Sequence, residues 1–171
     1  MAKRGAEPEG IGGWLAALLV AIGVIGPVFY LYLIYGALTA QAKLVEYGAD
    51  SLAIYRVQTA LWTLSLVKLV LAWSIVGAML RFRTRAALRF AIAGIWILGV
   101  GMVPVDWAAI ALAGAALRGE EPFQVPLWTA AIWISEGLML VIPATAYLLR
   151  SKRVANTYLR AGAKSLEETF E

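Results

Sequence analysis

Three ionisable side chains stand inside long apolar runs of the sequence: Lys68, Asp106 and Glu136. Lys68 interrupts LWTLSLVKLVLAWS, residues 61–74, which is otherwise almost hydrocarbon. One lysine and two carboxylic acids can neutralise one another, pass a proton or hold a polar ligand, provided that they meet. An isolated charge deep in hydrocarbon costs at least a few kcal/mol, so such groups turn toward one another and away from lipid. Counted from the outer ends of their runs at about 1.5 Å per residue, all three lie roughly 14–16 Å deep, on separate helices.

The spacing therefore predicts a buried intramembrane charge layer in which Lys68 meets Glu136, Asp106 or both. With one cation and two acids, one acid is expected to be protonated, or Asp106 to be reached by water. Ser65 and Ala72 share the helical face of Lys68, and Ala109 and Ala113 share that of Asp106. Small and polar neighbours suit an inward direction. A structural pair that fixes helix packing, a proton- or ion-handling site, and a polar ligand pocket or subunit contact all fit these residue types.

Other chemistries have fewer residues to work with. The 171 residues include no cysteine and no histidine, which removes disulfides, thiol catalysis and the usual zinc, copper and haem ligands. Ser-His and Cys-His nucleophiles are excluded for the same reason. Asp106 and Glu136 could serve as acid–base groups, but no nucleophile, metal cluster or phosphate-binding loop accompanies them. The sequence thus predicts no catalytic residue, no metal and no cofactor.

The elements that must position the three charges are the apolar runs themselves. Hydrophobic residues make up 61% of the chain and charged ones 15%, against roughly half and a quarter in a soluble domain. The excess falls in residues 11–38, 58–80, 90–117 and 127–149, each reaching the roughly 20 residues that a membrane-crossing helix needs. The first run is too long for the apolar region of a signal peptide and ends without an A-x-A-like site. The expected fold is an all-α integral membrane four-helix bundle, a single transmembrane domain over residues 1–171. Pro27, Pro104 and Pro143 fall inside spans one, three and four, where each removes a backbone donor and is expected to bend its helix.

Basic residues are distributed unevenly. Lys3, Arg4, Arg81, Arg83, Arg85, Arg89, Arg150, Lys152, Arg153, Arg160 and Lys164 flank one side of the spans, whereas Lys43, Arg56 and Arg118 flank the other. The positive-inside rule places both termini in the cytoplasm. These positions sit at membrane boundaries, so topology explains them better than nucleic-acid binding. Arg81, Arg83, Arg85, Arg150, Lys152 and Arg153 are expected to contact anionic lipid headgroups, each gaining about 1 kcal/mol there. Val154, Tyr158 and Leu159 could lay a short amphipathic helix on that surface. The outer connection, residues 39–57, could form an interfacial helix broken near Gly48. Trp14, Tyr30, Tyr32, Tyr35, Trp62 and Trp128 suit aromatic belts, and small residues in the outer half of span three suit close packing.

Two end motifs carry a resemblance. GIGGWL, residues 10–15, opens a run whose first stretch ends at Gly26–Pro27, and YLLRSKRVANTY, residues 147–158, follows the last span. Together they resemble a family of small four-span bacterial inner-membrane proteins typified by YdgK, a domain of unknown function. Ser151, Arg153, Val154 and Thr157 match that family's closing segment, with Tyr158 as its aromatic. VIPATAY, residues 141–147, departs from the family's W-x-P-Y-like segment by separating the proline from the tyrosine. The resemblance implies the four-span fold, the topology and a bacterial inner membrane, and supplies no catalytic residues.

The function expected from these readings is non-enzymatic: an accessory, assembly or interaction subunit of a larger membrane complex, in contact with membrane lipids. The alternative is a small transporter or ion-coupled protein that uses the mid-membrane charges.

Overall fold

A computed structural model describes residues 11–46, 51–118 and 126–160, and every element among them is helical. In chain order these are α1 (Trp14–Val20), a wide π-type turn at Ala21–Ile25, α2 (Gly26–Glu46), α3 (Ser51–Arg81) and α4 (Arg85–Trp96). A second wide turn at Ile97–Gly101 follows, then α5 (Val103–Arg118), α6 (Leu127–Arg150), α7 (Lys152–Val154) and a third wide turn at Ala155–Arg160. Among the described residues, four stretches are long and apolar enough to cross a membrane: Trp14–Gly36, Ile54–Arg81, Arg85–Ala109 and Trp128–Arg150. The chain has the all-α, four-helix form of a multi-pass membrane protein. Gly48, Lys3, Arg4, Lys164 and the connection 119–125 lie outside the described residues, so the break expected near Gly48 does too. On either side of it, α2 runs on to Glu46 and α3 begins at Ser51.

The outside of the bundle is as apolar as its inside, as lipid contact requires. Trp14, Met139 and Leu140 are each at least 75% exposed. Backbone groups then have no water to turn to and must be satisfied within the protein. Pro27 shows how. It has no N–H, so the Gly23 carbonyl four residues earlier loses its helical donor. The indole Nε1 of Trp73 in α3 donates to that carbonyl across 3.0 Å. Wide turns precede both Pro27 and Pro104, whereas Pro143 lies within α6.

The long helix α3 is the centre of the arrangement, packed against α2, α4 and α5, while α6 lies against α4, α5 and the turn at 97–101. In the last of these contacts the two backbones meet. A Cβ placed on Gly137 would fall on the carbonyl oxygen of Gly99, and one placed on Gly99 would strike the Val141 side chain. Without a hydrophobic drive between helices in lipid, such close approach is where packing contacts accumulate. Sequence reading favoured the small residues of span three's outer half and span one. Among the described glycines, the tightest backbone approach joins Gly99 and Gly137 of spans three and four, while the side chains of 113–118 lie outside the described residues.

The best-packed core sits at the end of the bundle where α3 gives way to α4. Leu15, Leu19, Ile75, Met79, Leu88, Ile95, Leu148, Val154 and Tyr158 form one buried cluster there. Thr84 starts α4 by accepting a hydrogen bond from the Ala87 amide at 3.2 Å. Ser151 caps α7 in the same way, accepting from Val154. Val154 and Tyr158 are therefore not on a lipid surface. They are 0% and 1% exposed, plugged into the bundle beside Leu15.

Candidate functional site: the intramembrane charges

The Lys68 ammonium donates to both carboxylate oxygens of Asp106, at 2.5 and 2.6 Å. Lys68 is 7% exposed and the Asp106 side chain 30%. The Tyr30 ring lies beneath the ammonium, with its centroid 5.1 Å from Nζ. Such a face attracts a cation through its quadrupole. Tyr30 is thus drawn inward, not placed in the outer aromatic belt. Tyr32, Tyr35, Trp62 and Trp128 are exposed, as belt residues would be.

How two residues of unequal depth come to touch follows from helix geometry. Ile75 packs against Gly94, which levels α3 with α4. Lys68 lies seven residues before Ile75, about 10 Å, and Asp106 twelve after Gly94, about 18 Å in the same direction at 1.5 Å per residue. Helical side chains lean toward the N-terminus of their own helix. α3 and α5 run in opposite senses, so Lys68 leans toward the Ser51 end of α3 and Asp106 leans back toward Val103. The two close a gap of roughly 8 Å between their backbones.

Glu136 takes no part in this pair. It was expected in the buried layer, and it is exposed. The cause is its neighbour. Gly137 is turned inward against Gly99, and one residue along a helix of 3.6 residues per turn is a rotation of about 100°. The contact that seats α6 therefore rotates the glutamate away from Lys68. Its depth is still in mid-span, because Gly99–Val100, level with it, lie close to the level of the Lys68 backbone. Counting depth brings Lys68 and Glu136 near one level but misses the offset of Asp106, and the two acids belong to different faces.

The comparisons with known proteins are empty. No family model matches the chain, and neither a curated protein nor a solved structure is significantly similar to it. Nothing in them identifies a YdgK-like family.

The two segments that carry that resemblance do meet in space. The Arg153 guanidinium lies where a Cβ on Gly12 would stand, and Gly13 takes a positive φ of 54° to start α1. A side chain at position 13 would be strained, and one at 12 would displace the arginine. Asn156 and Thr157 are buried beside Tyr158, and the Thr157 hydroxyl donates to the Arg153 carbonyl at 2.8 Å. Tyr158 donates to the Met79 carbonyl. Of the six expected headgroup contacts, Arg81, Arg83, Arg85, Arg150 and Lys152 are exposed and Arg153 is half-buried. Arg150 lines a shallow groove of about 410 Å³ with Trp96, Ile142, Thr145, Ala146 and Leu149.

Chemically, the buried pair is a neutralised one. Both carboxylate oxygens and the ammonium are committed to each other in charge-assisted hydrogen bonds. Among the described residues no group of three or more acidic, histidine or cysteine side chains could hold a metal.

Proposed function

We propose that this protein is a non-enzymatic accessory, assembly or interaction subunit of a membrane complex. In this reading it lies in a bacterial inner membrane with both termini in the cytoplasm, and its basic end rests on anionic headgroups. The observation that carries the reading is the division of the mid-membrane charges. Lys68 and Asp106 satisfy each other inside the bundle, whereas Glu136 stands on the outside at a depth where lipid offers it nothing. Internal charge fixes the architecture; external charge is left for another molecule. The exposed arginines Arg81, Arg83, Arg85 and Arg150 support lipid contact, because they flank the apolar spans, where basic side chains gain from anionic headgroups.

Extraction in a gentle detergent, followed by native mass spectrometry, tests the proposal. A stoichiometric protein partner together with retained anionic lipid is the expected result; extraction of the chain alone would defeat it. One observation favours transport instead: the partial exposure of Asp106 leaves one side of the pair open. Proton or cation flux in proteoliposomes that is lost in Asp106→Asn would establish that alternative.

A further inference from the structure

The exposed face of α6 has a chemistry that restricts what can cover it. Trp128, Ile132, Ser135 and Met139 follow one another at helical spacing on the outside, and Glu136 lies among them. Trp128, Ile132 and Met139 are 65%, 44% and 75% exposed. Ser135 occupies its own hydroxyl by donating to the Ile132 carbonyl at 2.7 Å, so it makes no demand on a neighbour. Glu136 does. It is eight residues from Trp128 and fourteen from Arg150, so about 12 Å and 21 Å separate it from the two ends of the span. Neither a headgroup amine nor bulk water stands at that depth.

Among the described residues of the spans, none supplies the missing cation. Lys68 is the basic residue at this level of the spans, and it is buried against Asp106. A second copy of the chain fares no better. It would bring the same glutamate and the same committed lysine, placing acid against acid in a symmetric contact. Charge complementarity leaves a different transmembrane segment, one with its own basic residue at mid-depth.

We propose that the Trp128–Met139 face of α6 docks a transmembrane helix of a partner protein, with Glu136 paired to a lysine or arginine at the middle of that helix. The inference rests on the accessory-subunit reading and adds the chemistry of the partner. The partner's basic residue lies within about one helical turn of Glu136 in depth, since lysine and arginine side chains reach roughly 6 Å. Apolar surface on either side of that residue covers Ile132 and Met139. The pairing gives the contact its register, because sliding by a turn would leave both charges in hydrocarbon.

The test uses the full chain in unsaturated phosphatidylcholine bilayers and synthetic leucine–alanine transmembrane peptides that differ at one central position. Energy transfer between labelled chain and labelled peptide measures association. The peptide with a central lysine is expected to bind about tenfold more tightly than the one with a central leucine, in line with polar contacts between membrane helices. Glu136→Gln is expected to bring the two peptides within about twofold, while Ser135→Ala leaves the preference intact. Equal binding of the two peptides would overturn the inference, as would a lysine preference that survives Glu136→Gln. Preference for a central-glutamate peptide, or self-association lost in Glu136→Gln, would overturn it in favour of a protonated acid pair.

Gentle extraction of the wild type and Glu136→Gln separates this inference from the reading beneath it. A partner retained by both chains leaves the accessory role standing and removes Glu136 from the contact. A wild-type chain that comes out alone removes the accessory role itself.

Discussion

The Tyr158 hydroxyl donates to the backbone carbonyl of Met79 across 2.7 Å, joining the turn after α7 to the last turn of α3. Carbonyls in the last turn of a helix have no partner within it, and here a side chain 79 residues away supplies one. The phenol is 1% exposed and fills the core beside Leu15 and Val154.

Tyr158→Phe keeps the ring and strands the carbonyl, which should cost about 1–2 kcal/mol. Burial raises the Tyr158 pKa above the ordinary tyrosine value, and the nearby Arg83 only partly opposes this. The fold therefore favours the neutral phenol. That contribution is complete below about pH 10 and is lost as pH rises through the raised value. Unfolding in detergent followed by circular dichroism should show the wild-type advantage over Tyr158→Phe shrinking above pH 10. An advantage that does not change with pH would mean that the phenol is not held neutral by the fold.

The glycine contact between spans three and four makes a second prediction with its own control. Gly137→Ala drives a methyl into the Gly99 backbone, which has no side chain to move aside. A loss of about 3 kcal/mol, the upper end for overpacking, is expected. Gly77, in α3, has open space where its Cβ would stand. Gly77→Ala should be neutral or stabilise by up to about 1 kcal/mol, since alanine is the better helix former. Thermal melts that rank the two variants equally would show that the Gly99–Gly137 approach is not a determinant of stability.

How much of this was readable in the sequence depends on the dimension considered. Helix class and span positions follow from apolar run lengths, which the bilayer thickness makes informative. Depth could be counted, and Lys68 and Glu136 do lie near one level. Rotation about the helix axis could not. A soluble helix announces its buried face by polar residues on the other, but a lipid-facing helix is apolar all round. Nothing in SEGLML says that Gly137 turns inward and Glu136 outward. The Gly99–Gly137 contact was unreadable for a related reason: it joins glycines from two helices, neither distinguished by its neighbours. The end motifs stood out in sequence, yet their meeting through Arg153 and Gly12 needed the fold.

Topology is predicted by the bias of basic residues and stands apart from any detail of packing. Reporter fusions at residues 45 and 122 should read outside, and fusions at 85 and 171 inside. A reversed pattern would turn the basic end of the bundle, with Arg81, Arg85 and Arg150, away from the cytoplasm. It would also remove the argument for anionic lipid there.

The two acids near Lys68 can be told apart by double-mutant cycles. Lys68→Met leaves the half-buried Asp106 without its counter-ion and should cost a few kcal/mol, because the penalty falls on the stranded partner. Adding Asp106→Asn removes the stranded charge and should recover part of the loss, for a coupling of about 1–2 kcal/mol, toward the upper range for intramembrane pairs. The same cycle run with Glu136→Gln should be additive within about 0.5 kcal/mol, because that side chain is on the outer face and shares no partner with Lys68. The isolated chain in detergent is the right sample, since a partner bound at Glu136 would add its own term. Strong coupling of Lys68 to Glu136, with none to Asp106, would require α6 to be rotated by about a quarter turn from the position that the Gly99–Gly137 contact gives it.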